Sequence, residues 1–182
     1  MEIEKLKYPI GKHKPSTSFS NDQLNKWIDD IATFPIALEY LVTNLSLKEK
    51  QYSYRPSGWN IMQLVHHCAD SHMNSLIRFK LTLTENQPTI KPYDENKWSE
   101  LTDSMEEDLT ASIALLKGLH HKWVYLLRKL TDEEYAMNYL HPADNTIHSL
   151  AEATSLYAWH SNHHLAHIQQ ALLAKGKYNE TH

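Results

Sequence analysis

Cys68 is the one cysteine among 182 residues, so no internal disulfide framework holds this chain, which agrees with a reducing cytoplasm. An excess of positive charge is also missing. The 18 lysines and arginines face 22 acidic residues for a formal net charge of −4, and the lysines are scattered, which leaves no basic footprint for nucleic acid. No run of about 18 apolar residues occurs, and no charged N-terminal segment leads into an apolar stretch. Neither a membrane span nor a signal peptide is expected, and the chain reads as soluble and cytoplasmic. Strand-like alternation is absent outside Tyr52 to Tyr54, and there are no repeats or low-complexity tracts. The length suits one domain over residues 1–182 with a substantial core.

Histidine is what the chain has in quantity. Of its 13 histidines, His160, His163, His164 and His167 fall within eight consecutive residues of an otherwise apolar segment. At about 100° per residue, spacings of three, four and seven place all four on one side of a helix. A buried imidazole loses solvation and must recover it through hydrogen bonds or a metal. His160 and His164, at i and i+4, can offer two ring nitrogens to one cation. One further absence matters here. Ser161 stands where an HExxH protease carries its glutamate base, so the zincin reading falls.

Helices account for most of the remainder. Ser20-Asn21-Asp22-Gln23 is a capping box that opens a helix to about Asn44, with Pro35 inside it as a kink. A polar connection through Tyr52 to Gly58 precedes a helix that carries His67 and stops at Asn86-Gln87-Pro88. Residues 88–104 form a long crossover with a short helix near Asp94 to Leu101. A third helix is expected from about Met105 to Leu130, with Leu115, Leu116, Leu119, Trp123, Leu126 and Leu127 inward. Thr131 to Glu134 caps a short turn, and His141 to Asn145 is loop. A second capping box at Ser149 to Glu152 opens the last helix, which ends at Lys175-Gly176. Long helices with one extended crossover fit a bundle whose sites are built on facing helices.

A third metal ligand must then come from another helix. The dense cluster His66, His67, Asp70 and His72 supplies candidates, in a stripe where Asn74 and Arg78 lie about 20° either side of the His67 direction. Polar groups along an apolar helix suggest a lined pocket, although Asp70 and Arg78 also suit a solvated face. A set with His163 in place of His160 is open on geometry. His120 and His121 read as surface or core-edge residues, since their own helix offers no partner. Tyr157 and Trp159 read as core packing. His13, His141, His148 and His182 carry no spacing argument.

These residues resemble the DinB/YfiT-like metalloprotein superfamily, and its YfiT branch in particular. The resemblance is carried by Trp59 eight positions before His67, by Tyr8-Pro9-Ile10-Gly11, and by His66-His67 with Ala69-Asp70-Ser71-His72-Met73-Asn74-Ser75. Lys91-Pro92-Tyr93, Trp98, Tyr157-Ala158-Trp159-His160, His163-His164 and Ala166-His167-Ile168 complete it. It covers nearly the whole chain and departs at Cys68, where an aliphatic residue is expected. It implies an all-α four-helix bundle of the DinB/YfiT type and one divalent cation, zinc or nickel, on His67, His160 and His164. His163 and His167 then become supporting or pocket residues beside Asp70, Asn74 and Arg78. It further implies a homodimer, for which the exposed aromatics Trp27, Tyr40 and Trp98 are thin support.

Three imidazoles on a divalent ion leave coordination positions open, unlike a closed structural zinc site. An ion of that kind acidifies a thiol or a water bound to it. The resemblance therefore implies an enzyme of one of two sorts: a transferase joining a low-molecular-weight, bacillithiol-like thiol to a small electrophile, or a hydrolase of amide-type bonds. A non-catalytic metal-binding or ligand-binding bundle is the third reading. Hydrolysis needs a proton carrier to the leaving group, for which Asp70 and His163 are the candidates. Arg78 and Asn74 suit a cosubstrate bearing a carboxylate.

Overall fold

The computed structural model describes residues 2–15, 19–143 and 145–179, so His182 lies outside the described residues. Short helix α1 (Glu2–Lys7) leads to α2 (Asn21–Val42), α3 (Leu47–Lys50), α4 (Ile61–Thr84) and α5 (Glu95–Trp98). After a 3₁₀ turn at Thr102–Met105 come α6 (Thr110–Leu127), α7 (Asp132–Ala136), the strands β1 (Asn138–His141) and β2 (Thr146–Ser149), and α8 (Leu150–Ala174). The long helices α2, α4, α6 and α8 form a four-helix bundle. No helix among the described residues is long and apolar enough to cross a membrane.

Local chemistry sets the helix starts. Ser20 and Gln23 make the reciprocal cap on α2, and Asn60 and Gln63 make the same cap on α4. At α8 only half of the expected box forms. Ser149 accepts from the Glu152 amide, but the Glu152 carboxylate turns to His148 Nδ1 at 3.2 Å.

Two apolar clusters fix how the helices run. One joins the first halves of α2 and α8 (Leu24, Ile28, Leu150, Ala153) to the second halves of α4 and α6 (Leu76, Phe79, Trp123, Leu127). The other joins Phe34, Leu38 and Ile168 to Leu64, Val65 and Leu116. Helices α2 and α8 therefore run one way, and α4 and α6 the other. The main packing is α2 on α8 and α6, and α4 on α6 and α8, so the successive helices α2 and α4 sit diagonally. The parallel pair α4 and α6 requires the long crossover, which is pinned to β1 where Ile90 N donates to Leu140 O (3.0 Å) and Leu140 N to Pro88 O (2.9 Å). Burying these apolar faces is the main source of bundle stability.

The structure corrects several sequence expectations. The antiparallel hairpin of β1 and β2 was unforeseen; four residues on each side are too few for alternation to register. Helix α6 starts at Thr110 rather than near Met105, because the preceding turn is 3₁₀ and Asp108 ties down the Thr110 amide at 2.9 Å. Leu115 is outward at 42% exposure. Trp27 and Trp98 are half-buried against Phe19 and Tyr93, which removes two of the three aromatics offered for dimer formation.

Candidate metal centre

Between the two apolar clusters the bundle carries a layer of histidines. Helix α4 delivers His67 and α8 delivers His160 and His164, one turn apart, so their rings converge. The Nε2 atom of His160 lies 3.3 Å from Nε2 of His67 and 3.2 Å from Nε2 of His164. One ligand atom from each of the three falls within 4.8 Å of the others. The Trp59 ring packs on His67 at 4.7 Å between centroids and fixes its plane. Burial pushes the His67 pKa down to about 4. Burial first, and then neighbouring imidazoles, hold His160 and His164 well below the ordinary value. All three are neutral at pH 7, the protonation state a ligand needs.

Backbone carbonyls determine which nitrogen is bare. A carbonyl only accepts, so His120 Nδ1 carries the proton it gives to Ile31 O at 2.7 Å. His120 Nε2 then accepts from His72 Nδ1–H (2.7 Å), and His72 Nε2 accepts from His160 Nδ1–H (2.9 Å). On the other flank, His167 Nε2–H donates to Lys7 O at 3.1 Å, leaving its Nδ1 to accept from His164 Nδ1–H at 3.4 Å. His160 and His164 both present a lone pair at Nε2. Two lone pairs 3.2 Å apart make no hydrogen bond. They do fit a shared cation, since nitrogens about 2.0–2.1 Å from a tetrahedral zinc stand roughly 3.3 Å from one another. The residues present therefore suit one divalent ion.

The other predicted residues scatter around this centre. His167 supports His164, whereas His163 is stacked between Tyr8 and Trp159 and its Nδ1 has no hydrogen-bond partner. His163 is not in the convergent group, so the set with His163 for His160 is not the one assembled. Asp70 lies away from the cluster, about 60° around α4 from His67. It lines a groove with His66, Asp103 and Ser112, where burial and Asp103 raise its pKa to about 6. His66 is engaged by Ser112 and by the Glu106 carbonyl. Asn74 caps back onto Asp70 O at 2.9 Å. Arg78 reaches toward Lys91 O at 3.5 Å and lies near Tyr93 and Glu95, whose pKa values burial raises and the guanidinium only partly offsets. Tyr157, its phenol donating to Ser71 O at 3.2 Å, packs its ring beside His160 and His72.

His120 is the residue the sequence misplaced. It is 2% exposed and bonded on both nitrogens, because its partners come from α4 and α2 rather than from its own helix. His121 does face outward. Cys68, although adjacent to His67 in sequence, points about 100° away into an apolar cluster, and burial pushes its thiol pKa far up. It is neither ligand nor nucleophile. Native protein at pH 8 is expected to resist iodoacetamide over a period in which urea-unfolded protein is fully alkylated, as mass spectrometry will read; native labelling at the unfolded rate would refute this placement.

The sequence profile of the DinB superfamily matches residues 35–168. A Bacillus subtilis (strain 168) protein named "Putative metal-dependent hydrolase YfiT" is 48% identical over 165 residues, 91% of this chain and 93% of that protein. A Bacillus pumilus (strain SAFR-032) protein named "Putative metal-dependent hydrolase" is 43% identical over 174 residues, 96% of this chain and 98% of its own. The solved structure of YfiT from Bacillus subtilis, described as "a probable metal-dependent hydrolase with an unusual four-helix bundle topology", matches with a TM-score of 0.89 over 92% of this chain and 95% of that one.

Proposed function

Because this chain belongs to the DinB superfamily, we propose that it is a metal-dependent enzyme in which His67, His160 and His164 hold one divalent cation, zinc or nickel. The convergence of two bare Nε2 atoms and the His67 ring supports this reading, as do the names of the relatives. When bound, the ion supplies Lewis acidity that makes a coordinated thiol or water a nucleophile at neutral pH. The chain supplies three neutral donors, so the ion keeps its full double charge. Imidazole accommodates zinc and nickel alike.

Within that frame the reaction we favour is transfer of a low-molecular-weight, bacillithiol-like thiol to a small electrophile. The observation that carries it is the turned-away Asp70 carboxyl. Amide hydrolysis must deliver a proton to the leaving amine; of the two candidate carriers, Asp70 lies in the groove of His66 and Asp103 instead, and His163 is stacked between Tyr8 and Trp159 outside the convergent group. In the transfer, the thiol sulfur bonds to the electrophilic carbon, the leaving group departs with its electron pair, and the thiol proton passes to water. Hydrolysis is the second reading, supported by the names of the relatives.

The test is conjugation of monochlorobimane to cysteine, glutathione or bacillithiol, followed by fluorescence with metal-loaded and metal-free protein. Metal-dependent conjugation above the uncatalysed rate is expected with at least one thiol. No acceleration with any of them, alongside thiol-independent amine release from anilides, would transfer the assignment to hydrolysis. Arg78, half-buried beside Tyr93 and Glu95, is the residue we propose to hold a cosubstrate carboxylate. Arg78→Ala should raise KM for the thiol by about tenfold or more, the worth of one charge-assisted hydrogen bond, with metal content unchanged. A lowered melting temperature with unaltered kinetics would make Arg78 a structural residue.

A further inference from the structure

Pro35 lies inside α2, where any other residue would give its amide proton to the carbonyl four positions back, that of Ile31. Proline has no such proton, and its ring crowds that carbonyl off the helical ladder. The Ile31 oxygen is nevertheless satisfied, because His120 Nδ1 from α6 approaches it to 2.7 Å. That single bond sets the direction of the two that follow, through His72 to His160. We propose that Pro35, His120 and His72 are positioning residues: the carbonyl that Pro35 frees locks His120, and through it His72, so that His160 always offers its Nε2 lone pair to the metal.

This inference rests on the metal reading above and adds how the ligand is oriented. Each ring in the relay is held by packing as well as by its bonds. Phe34, the residue before Pro35, lies 5.1 Å from the His72 ring and 5.5 Å from the His120 ring, and the Trp123 ring stands edge-on to both. The three relay residues are buried, so no water competes easily for the chain of protons. Metal-bound histidines commonly give their second N–H to a carboxylate or directly to a carbonyl. Here two neutral imidazoles intervene, which orients the ligand over the width of the bundle without adding negative charge near the ion.

The test compares wild type with Pro35→Ala, His120→Leu and His120→Gln by zinc affinity, from chelator competition, and by histidine tautomers in the metal-free protein, from two-bond ¹H–¹⁵N couplings. Wild-type His160 and His120 should both show Nδ1–H. His120→Leu removes the acceptor for His72 and should lower zinc affinity about tenfold or more, within the range seen for outer partners of ligating histidines. His120→Gln can donate to Ile31 O and accept from His72, so it should restore most of that loss. Pro35→Ala returns an amide to the Ile31 carbonyl and should lower zinc affinity in the same direction, while α2 is not weakened. If His120→Leu does not fold, Pro35→Ala and the wild-type tautomers decide. Wild-type zinc affinity in folded Pro35→Ala and His120→Leu, or an Nε2–H tautomer at His160, would overturn the relay. Wild type that binds no zinc while showing Nδ1–H at His160 would instead refute the metal reading and leave the tautomer lock standing.

Discussion

His160→Ala is expected to reduce zinc or nickel from about one ion per chain to background after gel filtration, and His67→Ala and His164→Ala should do the same. Structural zinc sites with four ligands bind with about 10–16 kcal/mol, so one ligand is worth roughly 3 kcal/mol, or two orders of magnitude in affinity. A site of three donors that loses one would not retain metal through dilution. His163→Ala provides the contrast: its ring is stacked between Tyr8 and Trp159, outside the convergent group, and metal content should be unchanged. Elemental analysis of the four variants, with circular dichroism confirming the helices, checks the set. Full stoichiometry in all three ligand variants would remove His67, His160 and His164 as the centre.

Much of this centre was legible in the chain because one helix carries most of it. Spacing alone aligns His160 and His164, and the i, i+4 rule needs no tertiary information. The cap Ser20 with Gln23 was equally local, and the helix starts where it says. The placement of His67 against that pair came through resemblance to a family, since nothing within α4 distinguishes it from His66 or His72. In the structure those neighbours divide the work by angle: His66 turns to Ser112, while His72 turns to His120 and His160.

What the sequence hid depends on contacts across long separations. His120 had no partner on α6, and its two partners are 48 and 89 residues away. Pro35 read as a kink, whereas its consequence is a carbonyl made available to another helix. Asp70 shares the polar stripe with Asn74 and Arg78, yet a turn of about 60° sends it into a different groove. Leu115 has a core residue's composition and a surface position, because α6 is apolar on more than one side. The short hairpin is fixed by its pairing with α8's entry and the crossover, and its own eight residues hold too little periodic signal.

Metal-free protein is expected to lose its helices on acidification between about pH 6.5 and 5, well above the range in which carboxylates protonate. Burial holds His67 and His120 at about 4, and His72, His160 and His164 well below their ordinary 6.5. The sign follows from proton counts. Below pH 6.5 the unfolded chain takes up protons at these five positions and the folded chain does not, so stability is present above 6.5 and falls as pH drops. Each such imidazole withdraws up to about 1.4 kcal/mol per pH unit until its folded-state pKa is reached. Five acting independently would withdraw about 7 kcal/mol between pH 7.5 and 5.5, and even half of that is a large share of the roughly 5–15 kcal/mol that stabilises a domain. Saturating zinc binds only where the lone pairs converge, in the fold. At about one hundred times Kd it adds about 2.7 kcal/mol, which should move the midpoint to lower pH by about half a unit when all five rings titrate, and by more when fewer do. Ellipticity at 222 nm through an acid titration, with chelator and with zinc, reads both shifts. A metal-free protein that keeps its helical signal to pH 4 would mean that these rings accept protons without leaving the bundle, and the buried neutral layer between the two apolar clusters would have to be abandoned.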